Sequence, residues 1–228
     1  MSDAQETPQD PREMLALMER TRRATARRLN GRYVGLLVLW AVAWAIGFTA
    51  LWLTDGVGGV ALLPTAVGWI VFAAAMIIAM VWSAVVGIGA SRDGIRGRSQ
   101  LQGALYGCSW SITMFAAWLL IAGLQRNGLD NEMSLLVYPG VYVFLVGVQY
   151  LAGGALWREV PMYVLGAALI VVAVIATFVG APVHFLVYAT AAPIAMLTVA
   201  VLLYAGLLGS GEPRPTRSGA ATDPRESL

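Results

Sequence analysis

Ser91-Arg-Asp-Gly-Ile-Arg-Gly-Arg-Ser99 is the charge-rich break in the middle of a chain otherwise written in long apolar runs. Uncharged sequence extends back from it to Gly56 and forward from it to Gln125. About 20 apolar residues suffice for a helix to cross a bilayer, so each flank is long enough to span. The loop carries Arg92, Arg96 and Arg98. Cationic loops are retained on the cytoplasmic side, so this stretch sets both the division into spans and their orientation.

Working outward, the same reading covers the whole chain. Of its 228 residues 58% are hydrophobic and 12% charged. Soluble domains are about 25% charged, so much of a water-facing surface is missing and lipid takes its place. The apolar runs predict an all-α polytopic bundle with six spans. They lie near 33–54, 64–87, 103–124, 135–156, 162–179 and 183–208. The last uncharged run, Val160 to Gly211, has 52 residues. As one helix it would be about 78 Å long, more than twice the hydrocarbon thickness, so Gly180-Ala-Pro182 is expected to divide it. Residues 1–9 and the Gly-, Pro- and Arg-rich tail 209–228 are expected to be disordered.

Arginine counting orients the bundle. With the N-terminus inside, fourteen of the fifteen arginines fall on the inner side and only Arg126 on the outer. That bias puts both termini in the cytoplasm of a bacterial plasma membrane. Seven arginines precede the first span. Asp10-Pro11-Arg12-Glu13 reads as a helix start, with Asp as cap and Pro at the first helical position. Residues 10–32 are expected to form a basic amphipathic helix, with Arg20, Arg22, Arg23, Arg27 and Arg28 toward anionic lipid headgroups. The alternative is a solvated juxtamembrane segment that only sets topology. A nucleic-acid partner is not expected, because the membrane already accounts for these charges.

Several chemistries are excluded by residue type. The chain has no lysine, so retinal and pyridoxal Schiff bases cannot form. Cys108 is the single cysteine and cannot close an intrachain disulfide. His184 is the single histidine, so one chain cannot build a bis-histidine haem or a multi-histidine zinc site. It sits beside an expected outer turn and is read as interfacial. Gly107-Cys-Ser109-Trp-Ser111 lacks the Gly-x-Ser-Gly turn of an intramembrane serine protease. No catalytic residue, metal or cofactor is expected, and the protein is read as not an enzyme.

Intramembrane polar groups are the natural functional candidates, since they are costly in lipid. No Asp, Glu or Arg falls in the middle of an expected span. Gln149 is the strongest polar group, and Tyr142 and Tyr138 precede it by seven and eleven residues, near one helical face. Two readings stand: a cavity-lining stripe, or a fastener to a neighbouring helix with Tyr138 in the outer aromatic belt. Gly103, Gly107 and Ser111 recur every four residues and suit close helix packing, within the bundle or between protomers. Trp40, Trp44, Phe48 and Trp52 form an aromatic stripe that holds a substrate or packs a face. Pro193 is a candidate hinge inside span six. Tyr33-x-Gly35…Ala50-Leu-Trp52 and Tyr138-x-Gly140…Ala155-Leu-Trp157 match at equal spacing, as an inverted three-plus-three repeat would.

The Arg-rich lead into Tyr33…Leu-Trp40…Ala-Trp44…Gly47-Phe…Ala-Leu-Trp52, with Met162-Tyr-Val-Leu-Gly166…Gly180-Ala-Pro182, resembles a group of small six-span bacterial membrane proteins of uncharacterised function. They are sometimes labelled transporter permeases. The resemblance implies a multi-pass membrane protein of permease type, acting as a homodimer or with a partner membrane or ATPase subunit, and transfers no functional residue. The alternative is a non-transporting accessory or regulatory protein that docks a partner or anionic lipid through its basic N-terminal helix.

Overall fold

The computed structural model describes residues 11–55, 61–92, 98–205 and 207. It is all helix. The elements are α1 Pro11–Asp55, α2 Thr65–Arg92, α3 Arg98–Arg126, α4 Asn131–Trp157, α5 Val160–Val179 and α6 Val183–Tyr204. Each contains a segment long and apolar enough to cross a membrane, six among the described residues. Helices suit this setting because every backbone hydrogen bond closes within the segment, away from water. The centre of the Arg92–Arg98 loop, the Asp10 cap and the tail 209–228 lie outside the described residues.

The expected surface helix and first span are one element. α1 runs for 45 residues without a break at its junction near Gly31. No proline lies beyond Pro11 to interrupt it, and Gly31 alone is tolerated inside a helix. The arginine cluster is therefore carried on a continuation of the span rather than on a helix separated from it by a turn.

The later ends are specified locally. Asp130 caps α4, its carboxylate accepting from the Met133 N–H at 2.7 Å. Arg158 closes α4 in a left-handed conformation (φ 57°), and the Glu159 N–H returns to Gly154 O at 2.8 Å. Pro161 then occupies the first turn of α5, where a missing N–H costs nothing. Gly180, at φ 76°, makes the turn that divides the long apolar run as expected.

Neighbours pack in the order α2, α1, α6, α5, α4, α3. α1 touches α2 and α6, and α4 touches α5 and α3, so these exchanges match what a three-plus-three repeat requires. The remaining pair does not: α5 packs on α6, whereas α2 and α3 make no comparable contact. α2 and α3 end the row. Among their described side chains only Gly68 and Ala79 of α2, and Ala117 and Ile121 of α3, are buried.

The centre is apolar and aromatic. Leu37, Trp44 and Phe48 of α1 meet Leu165 and Leu169 of α5 and Phe185, Tyr188 and Met196 of α6. Phe48 packs edge-on to Trp44 and Phe72 and contacts Phe185 and Tyr188. Trp40 and Trp52 are half-buried against the same cluster. The aromatic stripe of span one is thus the inward face of α1, packed into the core.

Between α4 and α5 the main chains themselves meet. A Cβ added at Gly166 would stand 2.5 Å from Leu151 N and 2.6 Å from Gly147 O. One added at Gly154 would stand 2.5 Å from Tyr163 N. Only glycine permits this approach, the small-residue packing that drives helix association in lipid.

Candidate functional site

The polar groups of α4 converge on α3 and form a seam along it. Gln149, the most polar side chain in the spans, is 7% exposed. Its Nε2 donates to Ser109 Oγ at 3.2 Å and to Thr113 Oγ1 at 3.3 Å, while the Ser109 hydroxyl also lies 3.4 Å from Gln149 Oε1. The Tyr106 hydroxyl donates to Gln149 O at 2.7 Å. Gly153, one turn on, makes room for it, because a Cβ there would stand 2.6 Å from that hydroxyl.

The rest of the stripe is used in the same way. Tyr142 donates to Met114 O at 3.1 Å. Gln125 Nε2 donates to Ser134 Oγ at 3.0 Å, and the Tyr138 hydroxyl reaches Gln125 Oε1 at 3.4 Å. At the other end Gln102 reaches Leu156 O at 3.5 Å. Tyr106 meets Trp157 edge-on, and Trp110 meets Tyr150 likewise. All three residues expected on one face are on one face. That face is turned to a partner helix, and each of the three completes a hydrogen bond there.

The other candidates separate. Gly103 and Gly107 have nothing within 4 Å of an added Cβ, and Ser111 is exposed. Among the described residues this stripe packs against no other helix, because α3 meets α4 through its Tyr106–Ser109–Thr113 face instead. Pro193 is buried inside α6 between core residues Ala192 and Met196. Arg20 is exposed on α1. Arg22, Arg23, Arg27 and Arg28 lie on the same helix, with side chains outside the described residues. Cys108 is exposed on α3.

His184, expected beside the outer turn, lies in the first turn of α6 and is wholly buried there, tilted on Phe185 at 3.9 Å between ring centroids and edge-on to Tyr188. Its Nε2 lies 3.1 Å from Leu135 O. A carbonyl only accepts, so the ring carries its proton on Nε2. The reason for the contact is in the sequence. Leu135 O would ordinarily accept from the N–H four residues on, and that residue is Pro139. His184 supplies the donor that Pro139 lacks. The pairing of a mid-span proline with a lone histidine was the available signal.

Among the described residues no three His, Cys, Asp or Glu side chains converge as metal ligands would. The arrangement satisfies polar groups inside the spans and links α3 and α6 to α4. No protein-family model matches the chain, and no curated protein or solved structure matches it either, so the likeness to small six-span proteins assigns no family.

Proposed function

We propose that this multi-pass membrane protein is a non-transporting accessory or docking protein of a bacterial plasma membrane. In this reading both termini are cytoplasmic, as the fourteen-to-one arginine asymmetry favours. One observation carries the proposal. Gln149, Tyr142 and Tyr138, the side chains best suited to line a polar pathway, all bond to α3 or its C-terminal turn. A permease-type component would need such groups facing a water-filled cavity.

The continuation of α1 supplies the docking element. Pro11–Asn30 adds about 30 Å of helix beyond the span. It bears six arginines, and its tip exposes Met14, Leu15, Leu17 and Met18. A basic rod with an apolar tip suits an acidic protein surface or anionic headgroups. No catalytic role is proposed for any residue.

Thiol accessibility tests the reading. In a Cys108→Ala background, single cysteines at Gln149, Tyr142 and Val143 are exposed to a membrane-impermeant maleimide from each side. Labelling at 149 and 142 no faster than at 143, which is buried in the core on another face of α4, is the expected result. Fast labelling at 149 and 142 but not at 143 would show a water-filled pathway and restore the transport reading.

A further inference from the structure

Pro11–Asn30 continues the first span as unbroken helix, and the span itself begins at Gly31. By the rise of an α-helix, Met18 stands about 20 Å from Gly31 and Met14 about 26 Å. The polar layer on each side of a bilayer is only about 5–7 Å deep, half the difference between its full thickness and its hydrocarbon core. Spans tilt by up to about 40°, which still leaves Met18 about 15 Å beyond the span. An unbroken helix therefore carries its tip through the headgroups and into water.

That tip reads Met14-Leu-Ala-Leu-Met18, five consecutive apolar residues, all exposed. In water such a run is a fault unless it has a use. By helical register Met14, Leu15, Leu17 and Met18 share one arc of about 160°, with Ala16 behind them. Positions 12, 13, 19 and 20 fall on the opposite arc, and all four are charged. Positions 22 and 28 continue the apolar arc toward the membrane, and both are arginine. Met14, Leu17 and Met18 have the i, i+3, i+4 spacing of a helix laid in an apolar groove.

Charge and distance select what covers the arc. Pro11–Asn30 holds six arginines against Glu13 and Glu19, a net +4. A second copy would leave the membrane on the same side and in parallel, so arginine would meet arginine at each height, and like charges repel. Anionic headgroups lie well below the tip, and their field fades within about 8 Å. A water-soluble protein remains, with a groove apolar at its floor and acidic at its rim. We propose that the tip of α1 is a helical ligand for such a protein: Met14 and Met18 enter the groove, and rim carboxylates face the arginines at 22 and 28. The proposal rests on the docking reading and narrows it to a protein partner.

The test uses the full chain in nanodiscs, with Cys108→Ala and a single cysteine at Leu15 carrying an environment-sensitive dye. Calcium-loaded calmodulin, an acidic protein with a Met-rich apolar groove, is the probe. Emission should be that of a dye in water in phosphatidylcholine discs, and should stay so when phosphatidylglycerol is added to the lipid. The probe should then shift emission to shorter wavelength and saturate, and a dye at Ala16 should shift less. Met14→Asp with Met18→Asp should abolish the shift, and Arg22→Glu with Arg28→Glu should weaken probe binding at least about ten-fold. All four positions lie outside the membrane span, so the melting temperature of the bundle should not move. A shift on phosphatidylglycerol alone would place the tip on lipid. A shift that grows with the number of chains per disc would place it on a second copy, and no shift with the probe would leave it without a groove. Each of these overturns the proposal and leaves the docking reading standing, which falls instead with fast thiol labelling at 149 and 142.

Discussion

The two sides of α4 are held in opposite ways. Toward α5 the contact is dry and close: Gly147, Gly154 and Gly166 let backbone meet backbone. Toward α3 the contact is wider and polar, with Tyr106, Ser109 and Thr113 reaching Gln149 across the gap. In lipid the hydrophobic effect gives helices little reason to associate, so packing and hydrogen bonds must do it. Packing is the stronger device here because many atoms contribute, whereas an interhelical hydrogen bond in a membrane averages about 0.6 kcal/mol. The comparison makes α4–α5 the rigid hairpin and α3 the more readily detached helix.

The largest expected effect is on the dry side. Gly166→Ala forces a methyl against Leu151 N and Gly147 O, main-chain atoms that cannot step aside. Overpacking of this kind costs about 1–3 kcal/mol and at times more. A fall in detergent melting temperature larger than for any seam substitution is the outcome to look for, and an unchanged melting temperature would break the contrast. The smallest effect belongs to the look-alike glycine stripe. Gly107→Ala meets open space, so its effect should stay within about 0.5 kcal/mol, helped by the better helix propensity of alanine. A loss as large as that at Gly166 would mean that the α3 stripe is covered by something outside the single chain.

The six spans were legible because apolar length alone specifies them, and the break at Gly180–Pro182 because one helix could not span 52 residues. The expected 64–87 and Thr65–Arg92 differ mainly at the C-terminal end, where the helix runs five residues further. The order of packing was not legible. α2 and α6 are similarly apolar, yet α2 is almost wholly exposed and α6 is central. In water the polar face of a helix marks its outside, but lipid removes that mark. Small-residue spacing alone did not say which stripe packs within the chain. Gly103, Gly107 and Ser111 recur more regularly than Gly147, Gly154 and Gly166, but only the second set has a partner helix. The polar stripe was legible as a face, and its choice between cavity and fastener depended on what α3 placed opposite it. The hydrogen bond of His184 was not legible because it depends on Pro139, 45 residues earlier, and on a carbonyl that no side-chain pattern reports.

The claim at the centre of this account is that Gln149 fastens α3 to α4. A double-mutant cycle measures it, using Gln149→Leu, Thr113→Val and the pair in detergent unfolding. Each substitution removes one half of the Nε2–Oγ1 hydrogen bond at 3.3 Å and leaves a side chain of similar bulk. The account predicts a coupling of about 0.6 kcal/mol, and no more than about 1.7. A coupling indistinguishable from zero, with both singles neutral, would contradict it and leave Gln149 free to face a cavity.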